Sequence, residues 1–304
     1  MMTRTESGLF RFEFKAMACN GEIVIAASSE DAGQRIADMA IREIKRIEQK
    51  YSRYLAESIV TRINAAAGIE WIECDEETLS LFNYADALFQ TSDGLFDITS
   101  GVLRRAWDFR DPAIPPKEQL RDLVDLIGWS RVERKDPCIK LPEIGMEIDF
   151  GGFGKEYATD RAAAILSHNG IKHGYVNLGG DLRVIGPKPN GDSWQMGIQD
   201  PRNKNTLVAS IPIAMGALAT SGDYERFFEL NGRRYCHVLS PRTGESVGFW
   251  RSISVLSPLA ITAGSYTTIA MLKEADSLSW LEDSGLAYLA IDHEGNIHSS
   301  KPEH

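Results

Sequence analysis

Hydrophobic and polar positions change period several times along the chain, and these changes predict the order of its elements. Residues 9–27 alternate apolar and polar twice around Met17–Gly21, which predicts two antiparallel strands with a turn at Met17. Ser28 or Ser29 then caps a long helix, because Ile36, Ala40, Ile44, Ile47 and Tyr51 recur on one face. A short helix is expected from near Glu57, and an amphipathic one from Asp75 to Thr91 before a turn at Asp93-Gly94. Residues 117–129 predict another helix, and short strands are expected near Val132, Ile139 and Glu147. Beyond Asp181 the period is mostly two. Strands are expected at 182–185, 194–198, 207–213, 217–220, 226–230, 234–239 and 250–255, with a turn at Asn231-Gly232. Helices over 259–273 and 276–284 and a hairpin around Glu294-Gly295 finish the chain. Strands adjoin strands instead of alternating with helices. The expected fold is therefore α+β with a largely antiparallel sheet, in one domain over 1–304 or two intimately packed lobes.

The stretch from Ile148 to Asp181 interrupts this pattern with glycine. It reads IDFGGFGKEYATDRAAAIL, a short turn, then GYVNLGGDL, so a strand is expected to end in a glycine-rich turn that opens a helix. Gly151, Gly152 and Gly154 permit positive φ and the close approach of a ligand. Lys155 follows where the first free N–H groups of a helix point forward, an arrangement that holds phosphate. A tight turn with a snorkelling lysine explains the same residues. Other positions carry two readings as well. Asp97 beside Phe96 either caps the next helix or meets a polar ligand. Tyr54 either stacks on a flat ring or closes the core. His237 is either a satisfied strand residue or a proton-handling group, and Met17 is by default a core filler.

Composition narrows the choice. The chain has 304 residues, 43% hydrophobic and 25% charged, as soluble globular proteins do. A net charge of −10 argues against a general nucleic-acid binder. Cys19, Cys74, Cys138 and Cys236 show no CxxC spacing, which speaks against a zinc site and for a reducing compartment. Arg11, Glu13 and Lys15 break the apolar run before Cys19, so no signal peptide or membrane anchor is expected and the cytoplasm is the expected location. The P-loop, GxGxxG, GxSxG and HExxH patterns are all absent.

Six segments, in order, resemble the FAD:protein FMN transferase (ApbE) family. They are Met17 in its Met-Gly-Thr turn, YSRYLAESIVTRIN, GLFDITSGVL, IDFGGFGKEYATDR, GYVNLGGDL, and ATSGDYERFF followed by YCHVLSPRTGESV. The resemblance implies an ApbE-type α+β fold and transfer of FMN from FAD to a Ser or Thr of a target flavoprotein, with Mg²⁺ and with release of AMP. It implies FAD contacts at Met17, Tyr54, the Leu95–Phe96–Asp97 strand and Asp149, and along Gly151, Gly154 and Lys155. The corner at Asn177 and Gly179 and the pair Thr220 and Ser221 complete that set. His237 would assist deprotonation of the acceptor hydroxyl, and the Gly152 carbonyl and Thr268 would face the metal.

One departure bears on the chemistry. The family's C-terminal helix begins Ala-Asp-x-x-x-Thr, but here Gly264 stands where the carboxylate belongs and Thr268 remains. Glycine offers Mg²⁺ no side-chain oxygen. Either Glu156, which replaces a family glycine, or Asp181 substitutes, or metal binding is weak. The alternatives to transfer are a non-catalytic FAD-binding protein and an FAD pyrophosphatase.

Overall fold

One antiparallel sheet runs through the molecule with its strands side by side in chain order. The computed structural model describes residues 2–4, 8–203 and 205–300. Among them, nine strands form this sheet: β1 (Met2–Arg4), β2 (Leu9–Ala16), β3 (Cys19–Ala26), β4 (Gly174–Leu178), β5 (Asp181–Gly186), β6 (Gly216–Gly222), β7 (Trp250–Ser257), β8 (Tyr288–Asp292) and β9 (Ile297–Ser299). Each neighbouring pair is antiparallel. The helices are α1 (Glu30–Tyr51), α2 (Ile59–Ala65), α3 (Glu76–Thr91), α4 (Lys117–Val124), α5 (Gly154–His168), α6 (Ala260–Lys273) and α7 (Ser277–Ser284).

The period-two pattern decides which side of the sheet each helix covers. Ile23 and Ile25 of β3 point into the main core with Ala40 and Ile44 of α1 and Ala158 and Ala162 of α5. Val24, between them, packs on the opposite face with Tyr175, Val184 and Trp194. Trp194 belongs to a ribbon of Trp194–Gln199 and Leu207–Ile213. The fold is α+β with a large antiparallel sheet, as the strand-next-to-strand pattern implies.

Ser29, one of the two cap candidates, caps its helix, and Asp75, expected as the first helical residue, is a cap as well. Ser29 accepts from the Ala32 N–H at the start of α1, and Asp75 accepts from the Thr78 N–H at the start of α3. At the β2–β3 turn, Met17 and Ala18 both lie in the left-handed region, at φ 51° and 58°. Glycine fits that region without a Cβ penalty. Ala18→Gly is therefore expected to stabilise the fold by about 0.5–1 kcal/mol, read as a small rise of the thermal midpoint.

Five expected elements take another form. The helix over 117–129 stops at Val124, because extended backbone at Gly128 frees Trp129 to donate its N–H to Asp97 and its indole N–H to Asp86. The strands expected near Glu147 and before the glycine turn do not form. Ile148 is held instead by both amide atoms of Asn64, at 2.7 and 3.0 Å, and the Asp149 N–H donates to the Ile98 carbonyl. Leu95–Asp97 is an irregular loop entering a 3₁₀ helix, Ile98–Arg105, not a strand. His237 lies one residue past the end of its strand, Arg233–Cys236.

Candidate active site

The loop before the 3₁₀ helix, the glycine turn before α5, the end of β6, residues 237–239 and one face of α6 surround a cavity of about 140 Å³. Leu95, Phe96, Asp97, Asp149 and Gly151 line it, all of them positions picked out in the sequence. So do Gly152, Ser221, His237 and Thr268. The 3₁₀ helix presents Ile98, Gly101 and Arg104 to the same space, as a three-residue period dictates.

Glycine is needed here for close approach rather than for positive φ. Gly151, Gly152 and Gly154 all keep ordinary φ, contrary to the expectation, whereas Gly179 and Gly180 at the β4–β5 turn have φ +63° and +97°. A Cβ on Gly152 would sit 2.7 Å from the Phe96 ring, and one on Gly101 would sit 2.8 Å from the Asp149 Cβ. Asp149 accepts from the Gly151 N–H at 2.8 Å, with Arg53 at 3.3 Å and Arg104 at 3.7 Å from its other oxygen. The Asp97 carboxylate is spent on structure. One oxygen accepts from the Thr99 N–H and hydroxyl, the other from the Trp129 N–H. Of its two readings, capping holds for the side chain. Its contribution to the cavity wall is a buried, fully engaged carboxylate, and burial raises its pKa.

His237 is anchored through its N–H to the Arg226 carbonyl at 3.0 Å, and its Nδ1 is buried without a partner. Burial, then the nearby Arg104 and Arg226 charges, push the imidazole down to about 4. The ring is uncharged at neutral pH. Ser221 hydrogen-bonds Thr267 at 2.8 Å and lies 3.5 Å from the Thr268 hydroxyl, tying β6 to α6.

The remaining expected residues do not line the cavity. The Lys155 ammonium pairs with Asp181 and lies 3.8 Å from Glu156, and Lys155 is not among the lining residues. Burial works against the ammonium, but the two carboxylates outweigh it and hold its pKa above the ordinary lysine value. A Cβ on Gly179 would crowd Cys19 at 3.0 Å and meet the Lys155 stem at 3.6 Å. The Asn177 side-chain oxygen, Oδ1, accepts from the Gly180 N–H at 3.0 Å, closing that turn. The Thr220 N–H donates to Asp181 at 3.1 Å. Gly154 opens α5, and Phe153 before it offers no side-chain cap. Met17 is tied to the Glu48 carboxylate through its N–H at 2.7 Å. Tyr54 is 76% exposed, next to Arg53, which reaches Gly101 and Asp149. Pattern reading missed Arg104 and the apolar wall of Val238, Leu239 and Leu272.

One small cavity in an α+β fold thus carries a guanidinium, hydroxyls, an uncharged imidazole and two carboxylates, a polar set of the kind found where charged ligands are handled. The profile of the ApbE family matches residues 17–290, and the chain belongs to that family. The FAD:protein FMN transferase of Klebsiella pneumoniae (strain 342) is 28% identical over 264 residues, 85% of this chain and 81% of that protein. The crystal structure of the ApbE protein from Thermotoga maritima superposes with a TM-score of 0.89 at 31% identity, covering 96% of this chain and 97% of that one. Apo flavinyl transferase ApbE of Pseudomonas stutzeri gives a TM-score of 0.85 at 25% identity, covering 96% and 95%.

Gly264 is filled from outside its own helix. A Cβ there would lie 2.5, 2.8 and 2.9 Å from Cγ, Cδ and Oε1 of Glu156. Glu156 is 7% exposed, its Oε2 has no partner, and burial followed by the neighbouring Asp181 raises its pKa. A buried, orphaned carboxylate oxygen suits a hard divalent cation.

Proposed function

We propose that this chain moves FMN from FAD to a Ser or Thr hydroxyl of a flavoprotein and releases AMP. The observation that carries the reading is His237, an uncharged imidazole on the same cavity as Arg104, Asp149 and Thr268. In the transfer step the acceptor oxygen bonds to the FMN phosphorus while the bond from that phosphorus to the bridging oxygen breaks. The hydroxyl proton passes to a ring nitrogen of His237, and AMP leaves with the bridging oxygen and its charge. Arg104 offsets the charge that builds on the phosphate oxygens, and the narrow wall fixes the line of attack. Mg²⁺, when bound, would add to that neutralisation, and the Gly152 carbonyl and Thr268 hydroxyl are the cavity-wall oxygens for it.

At about 140 Å³ the cavity takes only part of FAD, since a drug-sized ligand needs at least ~300 Å³. The diphosphate fits its charge and polarity. The exposed Tyr54 ring, beside Arg53, offers a stacking face for the isoalloxazine.

The test is incubation of the protein with FAD, Mg²⁺ and a flavoprotein bearing a candidate Ser or Thr, followed by AMP and by covalent flavin on the acceptor. Both products are expected together. AMP without an acceptor would make the protein an FAD pyrophosphatase. Bound FAD with no AMP would make it a carrier.

A further inference from the structure

We propose that Glu156 reaches from α5 into the gap at Gly264 on α6 to supply the carboxylate of a divalent-cation site that substrate phosphate completes. This rests on the reading above that a diphosphate occupies the cavity. Three observations support it. First, the Glu156 side chain fills the volume that any side chain at 264 would take, so the carboxylate and the glycine are a matched pair. An aspartate at 264 with glycine at 156 would put a carboxylate in nearly the same place from the other helix. Second, Glu156 is more than nine-tenths buried with Oε2 unpartnered, while its Oε1 stands 3.8 Å from the Lys155 ammonium and the Asp181 carboxyl lies beside it. Leaving a buried carboxylate oxygen unmet costs free energy that an ion would recover. Third, Thr268 lies one helical turn beyond Gly264 on the same face, lines the cavity, and neighbours the Ser221 hydroxyl.

The donor set also predicts how the site behaves. Among the described residues no group of three His, Cys, Asp or Glu side chains could hold a metal. Glu156 has Asp181 near it, and Asp181 is already paired with Lys155. Mg²⁺ and Mn²⁺ take such sparse sites when phosphate oxygens and water fill the remaining positions. The protein alone therefore holds the cation weakly, and cation and diphosphate tighten each other by the same factor.

Mn²⁺ is the probe, followed by its paramagnetic resonance signal in titrations of the full chain alone, with FAD, and with adenosine diphosphate. The wild type is expected to bind Mn²⁺ poorly alone and at least tenfold more tightly with either nucleotide. Glu156→Gln should keep metal-free nucleotide binding and lose most of the Mn²⁺ enhancement. The double variant E156G/G264D should regain it, and this also covers the case in which Glu156→Gln folds poorly. Full enhancement in Glu156→Gln, or no recovery in the double variant, overturns the proposal. Absence of Mn²⁺ binding with both nucleotides overturns it too. Enhancement with adenosine diphosphate but no binding of FAD would sink the flavin reading and leave the cation site standing.

Discussion

Replacing His237 by Asn is expected to lower the proposed FMN transfer by about 10²–10⁴-fold, the range for a lost general base, with FAD affinity close to the wild-type value. The side chain stands at the cavity but has no charge with which to hold phosphate, so its loss falls on turnover rather than on binding. Measuring AMP release under saturating FAD separates the two effects. A variant that binds FAD normally and transfers at the wild-type rate would remove His237 from the chemistry.

The pH dependence carries the same residue's signature. The ordinary imidazole value is near ~6.5, but burial and the Arg104 and Arg226 charges hold His237 at about 4. In the free protein the base is therefore already deprotonated at pH 6, and kcat/KM should begin to fall only below about pH 5. A bound diphosphate offsets Arg104, which removes part of the depression. The acid limb of kcat should accordingly lie at higher pH than that of kcat/KM. Stability follows with a definite sign. As pH falls below ~6.5 the unfolded chain takes up a proton that the folded chain refuses until about pH 4, so stability is lost across that window. His237 as a residue is half-buried, which makes about 3 kcal/mol an upper bound. His237→Asn should flatten this part of the stability curve.

Much of this site could be read along the chain because its parts are local. The Asp75 cap, the β2–β3 hairpin and the strands after Asp181 obey periods and caps that a few neighbouring residues determine. Most of the motif residues also meet around one cavity. What stayed hidden depends on partners distant in sequence. The 148–150 segment looks like a strand, but Asn64, 84 positions from Ile148, satisfies its backbone instead. Arg104 gave no signal because its place on the cavity follows from a 3₁₀ period, and that period exists only once Asp97 has capped the segment. Glu156 and Gly264 stand out along the chain as departures from the family pattern, with Asp181 an equal candidate to Glu156. Only contact between α5 and α6 makes them complementary.

Lysine and arginine in this region should fail in opposite ways when removed. Lys155→Met leaves Asp181, 3% exposed, and Glu156 as buried carboxylates without their cation. Breaking a buried pair from one side costs about 3–5 kcal/mol, so the expected result is a thermal midpoint lower by on the order of 10 °C, with or without ligand. Arg104 has no such duty. Among the described residues its ion-pair partner is Asp149, 3.7 Å away, and its side chain is 29% exposed on the cavity wall. Arg104→Met should leave the midpoint nearly unchanged and weaken FAD by about 10–100-fold, the loss of one charge-assisted contact to phosphate. Calorimetric titration of FAD beside thermal melts of both variants reads the contrast directly. If Arg104→Met binds FAD normally and Lys155→Met folds but does not bind it, the phosphate-facing charge belongs to Lys155. Its pairing with Asp181 would then have to open when the ligand arrives.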